Sequence, residues 1–218
     1  MSRVRAELAA QPSLSRLEQV RSKALRLFAE RGFARVGMRE LALHLGMGAG
    51  SFYYHFESKE HLLFELIEEL YTDLLAVAQA RTEGSAHARL QALLQAHIDL
   101  HERRALHFSM AEQELRCLSP SHQQQIRQMR RDYESRFLAL LLEAGATGSP
   151  AVLKATVHAV VAWLNNLPGW LEQSGLEAAQ QPAVVSTIVL GCLSGVLPPA
   201  EPAARSAPVL LHTRAASC

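Results

Sequence analysis

The 218-residue chain is predicted to be all-α, with an N-terminal helix-turn-helix head and a C-terminal helical body, about nine helices in all. Apolar residues recur at the three- and four-residue spacing of amphipathic helices in almost every long segment. The 12 glycines and 9 prolines fall mostly between those segments. We expect a head over residues 14–74, a body over 75–197 and a disordered tail, rich in proline and alanine, over 198–218.

The first helix is predicted over about residues 14–31, where apolar side chains share one face and a glycine ends the pattern. Two short helices follow, over about 38–45 and 49–55, with Gly46 between them. A glycine at this position suits the left-handed backbone that commonly ends a helix. Residues 37–56 therefore form a predicted helix-turn-helix, a unit that presents one helix to the DNA major groove.

The second helix of this motif has an apolar face, which includes Phe52 and Phe56, and polar and aromatic side chains that suit contact with DNA. Those that can reach phosphates or base edges are Ser51, Tyr53, Tyr54 and His55. Gly50 allows a close backbone approach, and Lys59 brings an ammonium group to the start of the next helix, where phosphate is favoured. The alternative interpretation is an ordinary helical hairpin whose aromatic residues serve only the core.

The order of residue types over 16–70 resembles that of the TetR (tetracycline-repressor-like) family of bacterial transcription regulators. The matching stretches are LFAERGF, MRELALHLGM, GSFYYHF and SKEHLLFELIEE. The resemblance implies DNA contact by Arg39, a groove-facing surface of Ala49, Gly50, Ser51 and Tyr54, and phosphate contacts by Tyr53, His55 and Lys59. Gly48 and Ala49 depart from the family pattern, in which larger polar residues are common. Base recognition would then depend on Arg39, Ser51 and Tyr54, or on DNA shape.

The distribution of charge agrees with a DNA-binding head joined to a body that does not bind DNA. Residues 1–60 carry ten lysines and arginines against six acidic residues, whereas residues 61–218 carry twelve against fifteen. The cysteines, Cys117, Cys192 and Cys218, are widely spaced, which predicts reduced thiols in a cytoplasmic protein. No apolar run reaches membrane-spanning length and no signal-peptide pattern is visible, so we expect no membrane partner.

The body is predicted to be helical because breaks in the sequence divide it into long apolar-patterned segments. Ser58 is expected to cap a long helix that connects the head to the body. The further helices are expected over residues 85–102, 104–117, 120–145, 151–167 and 182–197.

The last two of these helices are apolar on more than one side, which requires burial on more than one side. We expect them to form a two-fold four-helix bundle with a second copy of the chain, as the family resemblance also implies. The interface is predicted to contain Val157, Val160, Leu164, Val185, Ile188, Val189 and Leu193. The alternative is a monomer whose core ends with these helices.

The body shows no catalytic constellation, phosphate loop or nucleophile elbow, so no enzymatic activity, cofactor or metal is expected. His97 and His101 have the four-residue spacing that can hold a metal, but a solvated or hydrogen-bonded pair is the favoured interpretation. A ligand pocket is predicted to include Arg104, Met110, Arg131, Trp163, Asn166 and Trp170. The tryptophans could instead serve only packing.

A looser resemblance bears on the ligand. The run RALHFSMAEQELRCLSPSHQQQIRQMRRDYESRFLALLLEAG, followed by AWLNNLPGWL, is similar to the body of TetR-like regulators of lipid and acyl-CoA catabolism. This implies an acyl-CoA as a possible effector. The predicted function is therefore a ligand-responsive repressor that binds a palindromic operator as a homodimer and is released by a small molecule. The alternative is an all-helical binding protein or enzyme whose head is a protein-interaction module.

Overall fold

The computed structural model describes residues 15–80 and 83–198. This described part consists of nine α-helices and two short 3-10 turns, without strands, which confirms the all-α prediction. The helices are α1 (Arg16–Arg31), α2 (Met38–Leu45), α3 (Ala49–His55), α4 (Lys59–Gln79), α5 (Ala86–Glu114), α6 (Pro120–Glu143), α7 (Pro150–Asn165), α8 (Leu167–Ser174) and α9 (Gln181–Ser194).

The helices of the head begin and end where local chemistry favours a boundary. α1 starts after Ser15, whose hydroxyl accepts from the N–H of Glu18 at 3.2 Å while the Glu18 carboxylate accepts from the N–H of Ser15 at 2.6 Å. α2 ends at Gly46, whose φ of 67° lies in the left-handed region, as the sequence predicted. Phe52 of α3 and Phe56, the residue that follows α3, pack together in the core, with ring centroids 5.3 Å apart.

Lys59 ties the segment between α1 and α2 to the start of α4. Its ammonium group donates to the carbonyl oxygens of Phe33 at 2.9 Å and Val36 at 2.7 Å. It also lies 4.0 Å from the centre of the Phe33 ring, where a cation is attracted by the aromatic face. Burial lowers the pKa of Lys59. The ammonium group therefore has a structural role inside the head.

α4 belongs to both the head and the body, and the predicted boundary at residue 74 falls within it. Ser58 caps it as expected, accepting from the N–H of His61 at 2.9 Å. Its buried side chains are Leu62, Leu63, Phe64, Leu66, Ile67, Leu70, Tyr71 and Leu74. These positions extend around most of the helix, so α1, α5 and α6 can all pack against it.

The body agrees with the predicted break near residue 103 and contains one helix that was not predicted. α5 consists of two helical segments that meet at a kink at Arg104, where φ is −127° and ψ is 21°. α8 was not predicted, because its eight residues are too few to show a helical period and include Pro168 and Gly169. α6 and α7 each begin with a proline in the first turn, after the capping serines Ser119 and Ser149.

The structure places most of the predicted dimer interface inside the protomer, which corrects that prediction. Six of its seven residues are buried within the single chain, namely Val157, Val160, Leu164, Val185, Val189 and Leu193, and Ile188 is half-buried. These larger side chains fill the core of the protomer, so they are not available to a partner. The outward faces of the same two helices carry smaller or isolated apolar residues: Val152, Ala155 and Ala159 on α7, and Ala183, Leu190 and Gly191 on α9.

No helix in the described ranges combines the length and apolar character needed to cross a membrane. Cys117 and Cys192 are free thiols, whereas Cys218 lies outside the described residues. The predicted tail, from residue 199 onward, also lies outside them.

Replacing Lys59 with Met should lower the free energy of unfolding by about 1–3 kcal/mol, because two carbonyl oxygens lose a charged donor while the apolar stem is retained. Urea denaturation followed by circular dichroism measures the change. Lys23→Met is the matched control, since Lys23 is exposed on α1 and the change there should remain within about 0.5 kcal/mol. Equal stability of the two variants would contradict the structural role of Lys59.

Candidate nucleic-acid interface and cavities of the body

α3 is held by two aromatic residues, and its other described side chains are exposed. Phe52 and Phe56 are at most 2% exposed, so they fix the rotation of this short helix against the head core. The opposite side is open: Tyr54 is 85% exposed and Tyr53 is 57% exposed. Ser51 and His55 are exposed as well. The arrangement presents hydroxyl and imidazole groups on a convex helix of a size that fits a major groove.

The remaining predicted DNA contacts lie around this helix. Gly50 is exposed, and a Cβ placed there would meet no atom within 4 Å, so a phosphate could approach its backbone closely. Arg39, in the first turn of α2, is exposed and has no hydrogen bond or ion pair with the described residues. Ala49 begins α3, but its side chain is outside the described set. Lys59 uses two of its three N–H donors inside the head, which leaves one for a phosphate.

Acidic residues of α4 bind arginines from both the head and the body. The Arg21 guanidinium of α1 lies 2.7 Å from Glu65 and 3.0 Å from Glu69. The Arg104 guanidinium of α5 lies 2.7 Å from the other oxygen of Glu69 and 2.8 Å from Asp73. Burial would raise the pKa of Glu69, but Arg104 and Arg21 outweigh it and lower that pKa. One carboxylate thus joins helices of the two parts of the chain.

A cavity of about 460 Å³ lies beside these ion pairs, between α1, α4 and α5. Four arginines border it: Arg21, Arg26, Arg103 and Arg104. Arg26 and Arg103 are exposed and have no ion pair with a described residue. The acidic residues Glu18, Glu69 and Glu102 border the same cavity, so its rim carries charges of both signs, and Arg26 and Arg103 are the positions at which it suits an anionic group.

The six residues predicted to form one ligand pocket are not brought together. Arg104 borders the cavity just described, Arg131 borders shallow cavities next to α6 and α7, and Met110 is buried in the core. Trp163 and Trp170 pack edge to face with ring centroids 5.4 Å apart and lie against the core, which agrees with the packing interpretation. Residue type cannot show which helices enclose a cavity, and this prediction depended on residue type.

His97 and His101 are buried rather than solvated. His97 is fully buried, and its Nδ1 shares a hydrogen bond of 2.7 Å with the hydroxyl of Tyr133. The imidazole rings of the two histidines and the ring of Phe108 lie nearly parallel. The ring centroids of His101 and Phe108 are only 3.8 Å apart. Burial lowers the pKa of His101 to about 3, and burial and then His101 lower the pKa of His97. Both rings are therefore neutral at physiological pH.

His101 also borders a second cavity, of about 280 Å³, between α5, α8 and α9. Sequence patterns did not indicate this site, because it depends on α8, which was not predicted. The only available signal was the four-residue spacing of the two histidines on one helix.

Comparison with known proteins finds a matching family model for the head and another for the body. Residues 20–66 match the family model "Bacterial regulatory proteins, tetR family", and residues 83–196 match "Tetracyclin repressor-like, C-terminal domain". YerO, an uncharacterized HTH-type transcriptional regulator of Bacillus subtilis strain 168, is 43% identical over 51 residues, or 23% of this chain. That match spans only 18% of the length of YerO.

Solved structures share the fold at low sequence identity. A tetR-family regulatory protein from Rhodococcus RHA1 is 23% identical, covering 84% of this chain and 98% of that one, with a TM-score of 0.72. PfmR from Thermus thermophilus is 22% identical over 80% and 96% of the two chains, with a TM-score of 0.67. AibR, solved with isovaleryl coenzyme A and operator DNA, is 19% identical over 85% and 100%, with a TM-score of 0.66. Because the two family models cover the head and nearly all of the body, this chain belongs to the tetR family of bacterial regulatory proteins.

Proposed function

We propose that the protein is a cytoplasmic transcriptional repressor that binds a palindromic operator as a homodimer and is released by a small-molecule effector. The observation that carries the proposal is the open face of α3, whose polar and aromatic side chains are exposed while Phe52 and Phe56 anchor the helix. Membership of the tetR family supports the same role. The contact residues are those named from the sequence, with Lys59 limited to its one unused donor.

In the proposed homodimer, the outward faces of α7 and α9 meet their two-fold copies. Val152 and Leu190 are large apolar side chains with 49% and 44% exposure in the single chain. Ala155, Ala159 and Gly191 between them are small enough for helices to approach closely. A two-fold arrangement also provides two heads for two half-sites about one helical turn, roughly 34–36 Å, apart on DNA.

The proposed effector would act through contacts between the body and the head. α4 is packed by both parts, and Glu69 binds arginines of α1 and α5. A ligand that favours one arrangement of α5 would shift the population of head positions, provided that it binds the two arrangements with different affinity.

An acyl-CoA is the effector class that the resemblance implies. AibR, whose structure contains isovaleryl coenzyme A, supports it as an analogy of fold. In this chain the exposed Arg26 and Arg103 at the 460 Å³ cavity are the groups best placed to bind the phosphates of such a ligand. Arg21 and Arg104 are already paired with carboxylates and would contribute less.

The alternative function is a helical binding protein or enzyme whose head contacts another protein. A mobility shift with duplexes selected from a randomised DNA pool separates the two functions. Selection of a palindrome whose binding weakens steeply with salt supports the regulator, to which we assign no enzymatic activity. Failure to select any sequence supports the alternative.

Replacing Arg39 with Ala should weaken binding to the selected operator by about 1–3 kcal/mol and reduce its preference over random DNA. The reason is that Arg39 is exposed, unpaired with described residues and next to the α3 face. Fluorescence anisotropy with both duplexes measures the two effects. Arg127→Ala, which removes the same charge from an exposed position on α6, is the control and should bind both duplexes like the unmodified protein. If both variants bind the two duplexes equally well, Arg39 is not part of the DNA interface.

Replacing Ala159 with Glu should produce a folded monomer, because a charge is introduced into the centre of the proposed small-residue face. Sedimentation velocity at low micromolar concentration and circular dichroism together measure assembly and folding. Gln128→Glu, on the exposed surface of α6, should remain dimeric. A dimeric Ala159→Glu protein would show that another surface mediates assembly.

Medium-chain acyl-CoA should release the protein from its selected operator at micromolar concentration, whereas free CoA should not, because the acyl chain supplies the buried apolar area. The measurement is competition in the anisotropy assay. The double variant Arg26→Ala, Arg103→Ala should need more acyl-CoA for release while binding DNA normally. No release by any chain length would reject the acyl-CoA class and leave DNA binding unaffected.

A further inference from the structure

The cavity between α5, α8 and α9 combines an apolar wall with one unusual polar residue. Leu167 and Val185 on this wall are buried, and Ile98 is 9% exposed. His101, which borders the same space, is 5% exposed, and its two ring nitrogens are enclosed by the protein without a hydrogen-bond partner in the described structure. A buried polar atom without a partner is unfavourable, so a group that supplies the bond gains more than it would in water.

We propose that this cavity is a binding site for a compact, uncharged molecule with an apolar body and a hydroxyl group, and that His101 forms the hydrogen bond to that hydroxyl. A neutral imidazole has one donor and one acceptor nitrogen, and a hydroxyl can satisfy either of them. The volume of about 280 Å³ is just below the usual range for small-molecule sites, which favours a ligand much smaller than a coenzyme A thioester.

His101 is held in place by neighbouring rings and by a fixed polar residue. Its ring stacks against Phe108 and lies 5.3 Å from the ring of His97. His97 is fixed in turn by its 2.7 Å hydrogen bond with Tyr133 of α6. A side chain held on several sides loses little rotational freedom when a ligand binds, which favours recognition by a single hydrogen bond.

The charges around the cavity select against an anion. Among the described residues its lining contains no lysine or arginine, and the charged side chains that border it are Glu102 and Glu172, both exposed at the rim. A carboxylate or phosphate would be repelled by these two groups and would find no cation in the lining to pair with. The lining of this site therefore differs from that of the 460 Å³ cavity, which four arginines border.

The position of the site also suggests how its occupancy could reach DNA, a step that rests on the proposed function. His101 precedes by three residues the break in α5 at Arg104, whose side chain is paired with Glu69 and Asp73 of α4. A molecule that presses on α5 at His101 acts next to the point where the helix departs from regular geometry. Binding itself, in contrast, does not depend on any role in transcription.

Isothermal titration of the full-length protein at pH 7 tests the site with three probes of matched shape: 4-ethylphenol, ethylbenzene and 4-ethylbenzoate. We expect 4-ethylphenol to bind at least about tenfold more tightly than either of the others, because only it is uncharged and offers a hydroxyl. Equal binding of 4-ethylphenol and ethylbenzene, or tighter binding of 4-ethylbenzoate, would overturn the proposal.

Variants of α5 assign the effect to His101. His101→Phe should abolish the preference for 4-ethylphenol over ethylbenzene, whereas His101→Gln, which retains a donor and an acceptor, should keep it. His107→Phe is the control, since His107 is also buried on α5 but borders the other cavity, and it should leave all three affinities unchanged. Retention of the preference in a folded His101→Phe protein would overturn the assignment.

The anisotropy assay with the selected operator separates this proposal from the proposed function. Release of DNA by 4-ethylphenol in the unmodified protein but not in His101→Phe supports both. Selective binding of 4-ethylphenol that leaves DNA affinity unchanged supports the site and overturns its role as the effector site. Normal DNA binding without selective binding of 4-ethylphenol overturns the site and leaves the regulator proposal intact.

Discussion

The Glu69 carboxylate is the interaction on which the relation between head and body depends. One of its oxygens binds Arg21 of the head and the other binds Arg104 of the body, while Glu69 itself lies on the helix that runs through both. The three side chains are only partly exposed, so water screens these pairs less than it would on an open surface. A carboxylate shared in this way constrains the rotation of α1 about α4 and the position of α5 at the same time.

Packing around α4 explains how one chain of modest size holds the basic head and the acidic body together. Its apolar residues are buried along nearly its whole length, from Leu62 to Leu74, and α1, α5 and α6 pack against it. A second connection lies further along, where the Glu114 carboxylate at the end of α5 accepts from the backbone N–H of Phe33 at 3.0 Å. The loop after α1 is therefore bound by α4 through Lys59 and by α5 through Glu114.

Sequence patterns predicted the features of this structure that depend on neighbouring residues. The left-handed Gly46, the Ser58 cap of α4 and the aromatic anchors of α3 all follow from local spacing and were predicted with the motif. The inward faces of α7 and α9 could not be predicted in this way, because both sides of these helices are apolar and only the other helices decide which side is enclosed. The burial of His101 and the ion pairs of Glu69 could not be predicted either, because they bring together segments that lie far apart in the sequence.

The break in α5 divides that helix into a segment that borders the apolar cavity and a segment that ends on the head. Arg104, at the break, is held by ion pairs and not by apolar packing alone. Dissolved salt weakens ion pairs of this partly exposed kind. Ionic strength should therefore act on this protein in two ways: it competes for DNA phosphates at the surface of the head, and it loosens the attachment of the head to α5. A cell that accumulates salt would change both at once, without any ligand.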